Sequence, residues 1–338
     1  MKLGADLHLV LRPYEPRDQE EVLALLRASL GGGPAGDRSP EFFRWKHLEN
    51  PFGRSYLMVG ETAGRIVGLR AFLRWRLRSG ADRLPAVRAV DTATHPEFQG
   101  RGIFARLTRR AVEDMRREAD LVFNTPNEKS LPGYLKMGWE PVGTLRVSVR
   151  PRRPRALIRA VRPRQDAGPP PRVEAPPAAR VLDEVDGLYR LLEAAEGDDP
   201  RLRTEGTQAY LKWRYGRVPH LDYRAVTTAT SAGLDAIALF RVRTRRGLWE
   251  ATVAEVLVPR DDIGAAGRLL GSVVRSANVD VLTARFPSGS AAARAARRAG
   301  FLPVPRGVSL VVNRLRPIGA EVLRPNAWAL GLGDLELF

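Results

Sequence analysis

The residues best placed to do chemistry lie between Val87 and Leu107, in the run VRAVDTATHPEFQGRGIFARL. A short β-branched stretch passes through His95-Pro96 into Gln99-Gly100-Arg101-Gly102-Ile103-Phe104, and a helix follows. Gly100 and Gly102 admit backbone dihedrals closed to other residues and have no side chain to hold a ligand away, so successive N–H groups can converge on an anion. The helix beginning near Ile103 contributes unpaired amides and the positive end of its dipole, and Arg101 contributes a full charge. The pattern predicts a pyrophosphate-sized cradle, although paired glycines also make ordinary tight turns. A second stretch, FNTPNEKSLPGYLKMGWEPV from 123 to 142, places Asn127, Glu128 and Tyr134 between a strand and the next helix-to-strand turn. A phenol there is either a proton donor, being protonated at neutral pH, or aromatic packing in the joint.

Composition narrows the chemistry. The 338 residues contain no cysteine, which excludes disulfides, thiolate metal sites and a cysteine nucleophile. His8, His47, His95 and His220 are scattered without ligand spacing, so no metal is expected. The net charge of +17 attracts polyanions, but the excess is nearly all Arg and spread along the chain. It fits an Arg-rich proteome as well as a nucleic-acid partner, which is possible and not favoured. No run is apolar enough for membrane insertion and the start MKLGADLHLV lacks a signal-peptide pattern, so a cytoplasmic protein is expected. Oligomeric state is not legible.

The elements that must position these residues follow from periodicity. Leu9 to Tyr14 reads as a strand, and Gln19 to Ser29 as a helix burying Val22, Leu23, Leu25 and Leu26. Gly31 to Arg38 is a connection, and Phe42, Phe43, Trp45 and Phe52 are expected in the core. Ser55 to Val59 and Arg65 to Leu73 form a hairpin across Glu61-Thr62-Ala63-Gly64. Val87 to Thr94 is the central strand, and the helix after the loop runs to about Glu118 with Arg109, Arg110, Arg116 and Arg117 on a solvated face. Leu121 to Asn124 is the next strand and Leu131 to Met137 a short helix. From Arg150 to Arg180 the chain becomes rich in Arg and Pro and reads as a stiff connector, with one short helix at Ala156 to Val161.

Beyond the connector the first part is echoed. Trp45-Lys46 with Pro51 and Tyr56 returns as Trp213-Arg214 with Pro219 and Tyr223, and Gly138-Trp139-Glu140-Pro141-Val142 as Gly300-Phe301-Leu302-Pro303-Val304. The expected organisation is a domain over 1–150, a linker over 151–180 and a second, degenerate copy over 181–338. In that copy Asp261-Asp262 stands where the glycine loop stood, and two carboxylates repel a pyrophosphate. Counting back from Gly300 places Ala296 where Tyr134 would be. A final strand over Asn326 to Phe338, anchored by Trp328, is expected.

The loop resembles the acyl-CoA signature of the GNAT acyltransferase superfamily, Gln/Arg-x-x-Gly-x-Gly/Ala, with Gln99 first, Gly102 fourth and Phe104 where Gly or Ala is usual. The stretch from 123 to 142 resembles that superfamily's fifth strand, helix and turn. The resemblance covers roughly Leu9 to Val149 and implies an α/β (α+β) mixed sheet in two tandem GNAT-like domains, each a twisted, mostly antiparallel sheet flanked by helices. It further implies acetyl-CoA as co-substrate, lying where the fourth and fifth strands splay. Thr92, Ala93 and Thr94 would face its pantetheine and thioester, and Gln99, Gly100, Arg101, Gly102, Ile103 and Phe104 its phosphates. Asn127 would hydrogen-bond CoA or a water near the sulfur, and Tyr134 would act as general acid.

The function expected from the resemblance is N-acyl transfer to an amine by direct attack. A Fem-like transfer from aminoacyl-tRNA and a non-catalytic CoA-sensing protein are the alternatives. For the base, Asp91, His95 and Glu128 are the nearby titratable groups; alternation along the strand points Asp91 away from its neighbours, toward a structural role. The terminal carboxylate of Phe338 is a further candidate, because enhanced intracellular survival acetyltransferases use that device. The second copy is expected to buttress the first and close one side of the acceptor cleft.

Overall fold

The nearly continuous apolar run in IVGLRAFLRWRL, buried on both faces, drives the longest strand among the described residues, and the rest of one large sheet assembles around it. The computed structural model describes residues 8–31, 38–153, 167–196, 199–231 and 233–335. The strands are β1 (Val10–Pro13), β2 (Tyr56–Thr62), β3 (Arg65–Ser79), β4 (Asp82–Thr94), β5 (Leu121–Asn124) and β6 (Glu140–Pro151), followed by β7 (Arg203–Thr204), β8 (Tyr223–Thr230), β9 (Gly233–Arg245), β10 (Leu248–Leu257), β11 (Val281–Ala284) and β12 (Leu302–Arg314). They lie in the order β1-β2-β3-β4-β5-β12-β6-β11-β10-β9-β8, with β7 beside β3. Along this order β4 with β5 and β10 with β11 are parallel, and the other neighbours are antiparallel.

Helices cover both faces. Helices α1 (Gln19–Leu30) and α2 (Pro40–His47) pack Val22, Leu26, Phe42 and Trp45 against Leu69, Ala71 and Leu73. On the other face α3 (Ile103–Met115) and α4 (Leu131–Lys136) pack against Phe72, Val87 and Ala89. Helix α3 comes close to β3 because residue 68 is glycine: a Cβ there would lie 2.7 Å from Ile103 and from Leu107. The four arginines expected on a solvated face of this region are exposed. Later in the chain come α5 (Ala178–Glu184), α6 (Leu188–Glu196), α7 (Gln208–Leu211), α8 (Ile263–Ser276), α9 (Ala291–Arg298) and α10 (Leu332–Leu335).

The faint sequence repeat is a repeat of element order: β2-β3-β4-α3-β5-α4-β6 and β8-β9-β10-α8-β11-α9-β12. The final strands are exchanged. Strand β12 pairs with β5, β6 pairs with β11, and the two pair with each other at the centre of the sheet. The echoed tryptophans meet as well: the rings of Trp45 and Trp213 stack at 4.8 Å, and each indole N–H donates to the other residue's carbonyl, at 2.8 and 2.9 Å.

The Arg/Pro-rich stretch is described only at its ends. Strand β6 runs to Pro151, and Val173 and Pro177 form single bridges with Ala277 and Arg224. The helix expected at Ala156 to Val161 lies outside the described residues, as does the side chain of Phe338.

The expected final strand is corrected. Residues 325–335 form a short turn, Pro325–Ala327, and helix α10, because β12 already fills the place between β5 and β6 and leaves no free edge there. Trp328 is nonetheless the anchor, fully buried with its indole donating to the carbonyl of Val322 at 2.8 Å.

Candidate active site

The site begins where two parallel strands part. Strands β4 and β5 pair from Ala86/Leu121 to Arg88/Phe123 and no further, while β4 stays paired with β3 up to Thr94. The edge of β4 from Ala89 to Thr94 therefore faces a fork, with its backbone N–H groups free of a strand partner on that side. Arg88 ties the base of the fork, its Nη2 donating to Thr125 Oγ1 at 3.0 Å and to the carbonyl of Leu335 at 2.8 Å.

A bulge in β4 opens this fork. Its register on β3 slips between Val90/Ala71 and Ala93/Leu69, so that Asp91 and Thr92 together oppose Arg70, and Asp91 takes φ +38°. That is a costly conformation for a residue with a side chain. Charge holds it in place. The Asp91 carboxylate accepts from the buried Lys46 Nζ at 2.7 Å and His47 Nε2 at 3.0 Å and from the half-buried Arg38 Nη1 at 2.9 Å. Despite burial, the surrounding cations hold the Asp91 carboxyl far below the usual carboxylate range. Burial keeps His47 neutral, with Nε2–H donating to Asp91 and Nδ1 accepting from Ser55 Oγ at 3.0 Å. Asp91 is thus the pin of the bulge and is withdrawn as a candidate base, since so stabilised a carboxylate has little tendency to take a proton.

On the α3 and α4 face, the other side of the bulge carries Arg70. Its guanidinium is fully buried and donates through Nη1 to both Thr92 Oγ1 and the Tyr134 hydroxyl, the latter at 2.9 Å. It lies 4.5 Å above the Phe72 ring, and its Nε and Nη2 are buried without a partner. Tyr134 is itself buried, edge-on to Phe104 at 5.4 Å and to Trp139 at 5.2 Å. Phe104 is accommodated because its neighbour on α4 is glycine: a Cβ on Gly133 would lie 3.0 Å from the Phe104 ring. The aromatic residue at the sixth motif position is packed against α4 and braces Tyr134.

The glycine loop has the form its sequence implies. Gly100 and Gly102 both have φ +76°, and a Cβ on either would meet nothing within 4 Å. Helix α3 starts at Ile103 on the Gly102 N-cap with no side chain capping it, leaving its first amides for a ligand. Arg101 is exposed and sits 5.3 Å over the Phe98 ring, and Gln99 Nε2 donates to the Thr94 carbonyl at 3.4 Å. The open space and free helix end fit the pyrophosphate of an acyl-CoA.

Thr92, Arg70 and Tyr134 are thus brought together at the fork, with Ala93 and Thr94 on its β4 edge. Asn127 is exposed and its Oδ1 accepts from the amides of Lys129 at 3.1 Å and Ser130 at 2.9 Å, shaping the turn into α4. Among the described residues no contact joins His95 or Glu128 to Tyr134; Glu128 is exposed and His95 Nδ1 accepts from the Glu97 amide at 3.4 Å. Sequence reasoning missed Arg70 and the pair Lys46-His47. Arg70 is one charge inside the apolar run GLRAFL, and that interruption was its signal.

Comparison with known proteins agrees with this geometry. Residues 10–142 match the acetyltransferase (GNAT) domain family. No curated protein matches the chain. Among solved structures, the GCN5-related N-acetyltransferase of Anabaena variabilis ATCC 29413 aligns with TM-score 0.65 at 11% identity, over 91% of this chain and 73% of that one. The GCN5-related N-acetyltransferase of Kribbella flavida aligns with TM-score 0.59 at 14% identity, over 91% and 71%. Eis1 of Mycobacterium abscessus aligns with TM-score 0.56 at 15% identity, over 91% and 73%. At such identities the structures show a shared fold, while the family match to the acetyltransferase (GNAT) domain is confined to residues 10–142 and covers the fork, the glycine loop and Tyr134.

Proposed function

We propose that the chain is an acyl-CoA-dependent N-acyltransferase that moves an acetyl group from acetyl-CoA to an amine acceptor by direct attack. The observation that carries this reading is the buried Arg70 guanidinium joined to the Tyr134 hydroxyl beside an open strand fork. Acetyl-CoA, when bound, supplies the acyl group already activated as a thioester. The amides of 100–104 and Arg101 hold its phosphates, and an N–H on the free edge of β4 from Thr92 to Thr94 faces the thioester carbonyl, where a fixed donor needs little movement during reaction. The acceptor nitrogen, arriving as the neutral amine, forms the new bond to the acyl carbon as the carbon–sulfur bond breaks; Tyr134 protonates the sulfur, and the proton shed by the nitrogen leaves to solvent. The charge then left on the phenol oxygen is met by Arg70, which already donates to it and whose second nitrogens are unengaged. Asn127 keeps its Nδ2 for CoA, its Oδ1 being used in the turn. The later half of the chain closes the acceptor side.

Calorimetry of acetyl-CoA binding to the intact protein and to Gly102→Glu tests the cradle. One equivalent on the former and none on the latter is expected. Binding by neither removes the reading, and binding without turnover on any amine makes the site a non-catalytic CoA sensor.

A further inference from the structure

A cavity of about 440 Å³ lies at the second fork of the sheet, where β10 and β11 stop pairing beyond Val253 and Ala284. Its volume is that of a small-molecule site. The features of the first fork are absent from it. Asp262 caps α8, its Oδ1 accepting from the Ala265 amide at 2.8 Å, where the glycine cradle would be, and the counterpart of Tyr134 is the buried Ala296. What lines the cavity instead is a carboxyl and a guanidinium that make no ion pair among the described residues.

Glu255 is the first such group. Its Oε2 accepts from the Tyr215 hydroxyl at 3.2 Å, and no cation pairs with it among the described residues. Burial and the neighbouring Asp334 carboxylate push the Glu255 carboxyl up to about 8. Asp334 is already satisfied, accepting from Thr204 Oγ1 at 2.6 Å, the Tyr210 hydroxyl at 3.3 Å and the Gly331 amide at 2.6 Å. Arg285 is the second group. Only 8% exposed, it donates through its two terminal nitrogens to the carbonyls of Leu330 and Trp328, while Nε is buried with no partner. Among the described residues no carboxylate pairs with it.

Among the described residues the Glu255 carboxyl has no ion pair and is held protonated up to about pH 8, while the buried Arg285 guanidinium meets only carbonyls; each arrangement is costly, and here the two share one cavity without meeting each other. A ligand carrying both charges relieves both costs. Leu257 and Phe286 supply apolar wall, and the exposed Arg260 and Asp261 mark the mouth. We propose that this cavity binds a small zwitterion of the α-amino-acid type, its ammonium against Glu255, its carboxylate toward the Arg285 guanidinium and its side chain against Leu257 and Phe286. The site is separate from the acyl-transfer fork and does not depend on that assignment.

The test is thermal unfolding and calorimetry of the full chain with L-leucine, L-methionine and L-phenylalanine at millimolar concentration. Each is run beside the amine that lacks its carboxylate and the acid that lacks its amine. At least one amino acid is expected to raise the unfolding midpoint and bind one equivalent, with both analogues weaker by about tenfold or more. Glu255→Gln, which removes the group that an ammonium would ionise, and Leu257→Trp, which fills the space, are each expected to weaken binding by about tenfold while still unfolding cooperatively. The proposal is overturned if none of the three amino acids binds, if an analogue binds as well as its parent, or if both cooperatively folding variants bind like the unsubstituted protein.

Discussion

Two buried charges on opposite faces of one bulge organise the site at the scale of residues. Arg70 acts through Tyr134, so Arg70→Gln is expected to lower kcat for acetyl transfer by about tenfold to a hundredfold with KM for acetyl-CoA little changed, and Arg70→Lys to retain more of the rate. Steady-state kinetics on the three proteins decides it; equal loss in both variants would mean that Arg70 only fills space. Asp91 acts on the backbone. Removing its charge takes the carboxylate away from Lys46 and Arg38, so Asp91→Asn is expected to cost about 3 kcal/mol at pH 7, measured by urea unfolding. The sign with pH follows. Asp91 is held below its ordinary range, so its contribution is complete above about pH 4 and is lost as pH falls further. His47 works in the same direction, because below about pH 6.5 the unfolded chain takes up a proton that the folded chain refuses. Glu255 works oppositely: it keeps its proton in the folded state up to about pH 8, so its penalty grows as pH rises from about 4.3. Glu255→Gln should therefore stabilise the protein more at pH 8 than at pH 5. An Asp91→Asn midpoint equal to that of the unsubstituted protein at pH 7 would remove the pinned-bulge account.

Secondary-structure elements meet at glycines, and these set the next scale. Gly68 lets α3 seat on β3, so Gly68→Val is expected to destabilise by about 2 kcal/mol through overpacking against Ile103 and Leu107. Because the helix that carries the cradle must shift, acetyl-CoA affinity should fall with it; thermal unfolding and calorimetry on one sample report both. Elements of this kind were the legible part of the sequence. The hairpin, β5, the glycine loop and both helices that follow were written in periodicity and turn residues, and the loop's φ values follow from its glycines. Less of the site could be read. Arg70 faces Tyr134 across 64 residues, and Lys46 and His47 reach Asp91 across more than 40, pairings that only tertiary structure creates. The C-terminal stretch failed for another reason: its apolar spacing suits a strand, but strand exchange had already filled the available edge.

Exchange of β6 and β12 joins the earlier and later parts of the chain in one sheet. A fragment of residues 1–150 would expose the edge of β5 along Leu121–Asn124 and leave β6 without β11 and β12, so it is expected to be insoluble or aggregated when expressed alone. A soluble, monomeric fragment with native-like unfolding would show that the exchange is dispensable. The reciprocal tryptophan contact ties the two parts away from the sheet centre, and Trp213→Ala is expected to cost about 3–5 kcal/mol and to lower the midpoint of a single transition. Two separate transitions in calorimetry would instead show parts that unfold independently.

The chain has no cysteine, so any free thiol that appears with acetyl-CoA comes from CoA itself. Thiol release in the presence of a panel of primary amines, compared between the unsubstituted protein and Tyr134→Phe, tests the acyl-transfer site most directly. Amine-dependent release that falls by about a hundredfold or more in Tyr134→Phe, with acetyl-CoA binding retained, is the expected result. Equal release by the two proteins, or bound acetyl-CoA with no release on any amine, would contradict it.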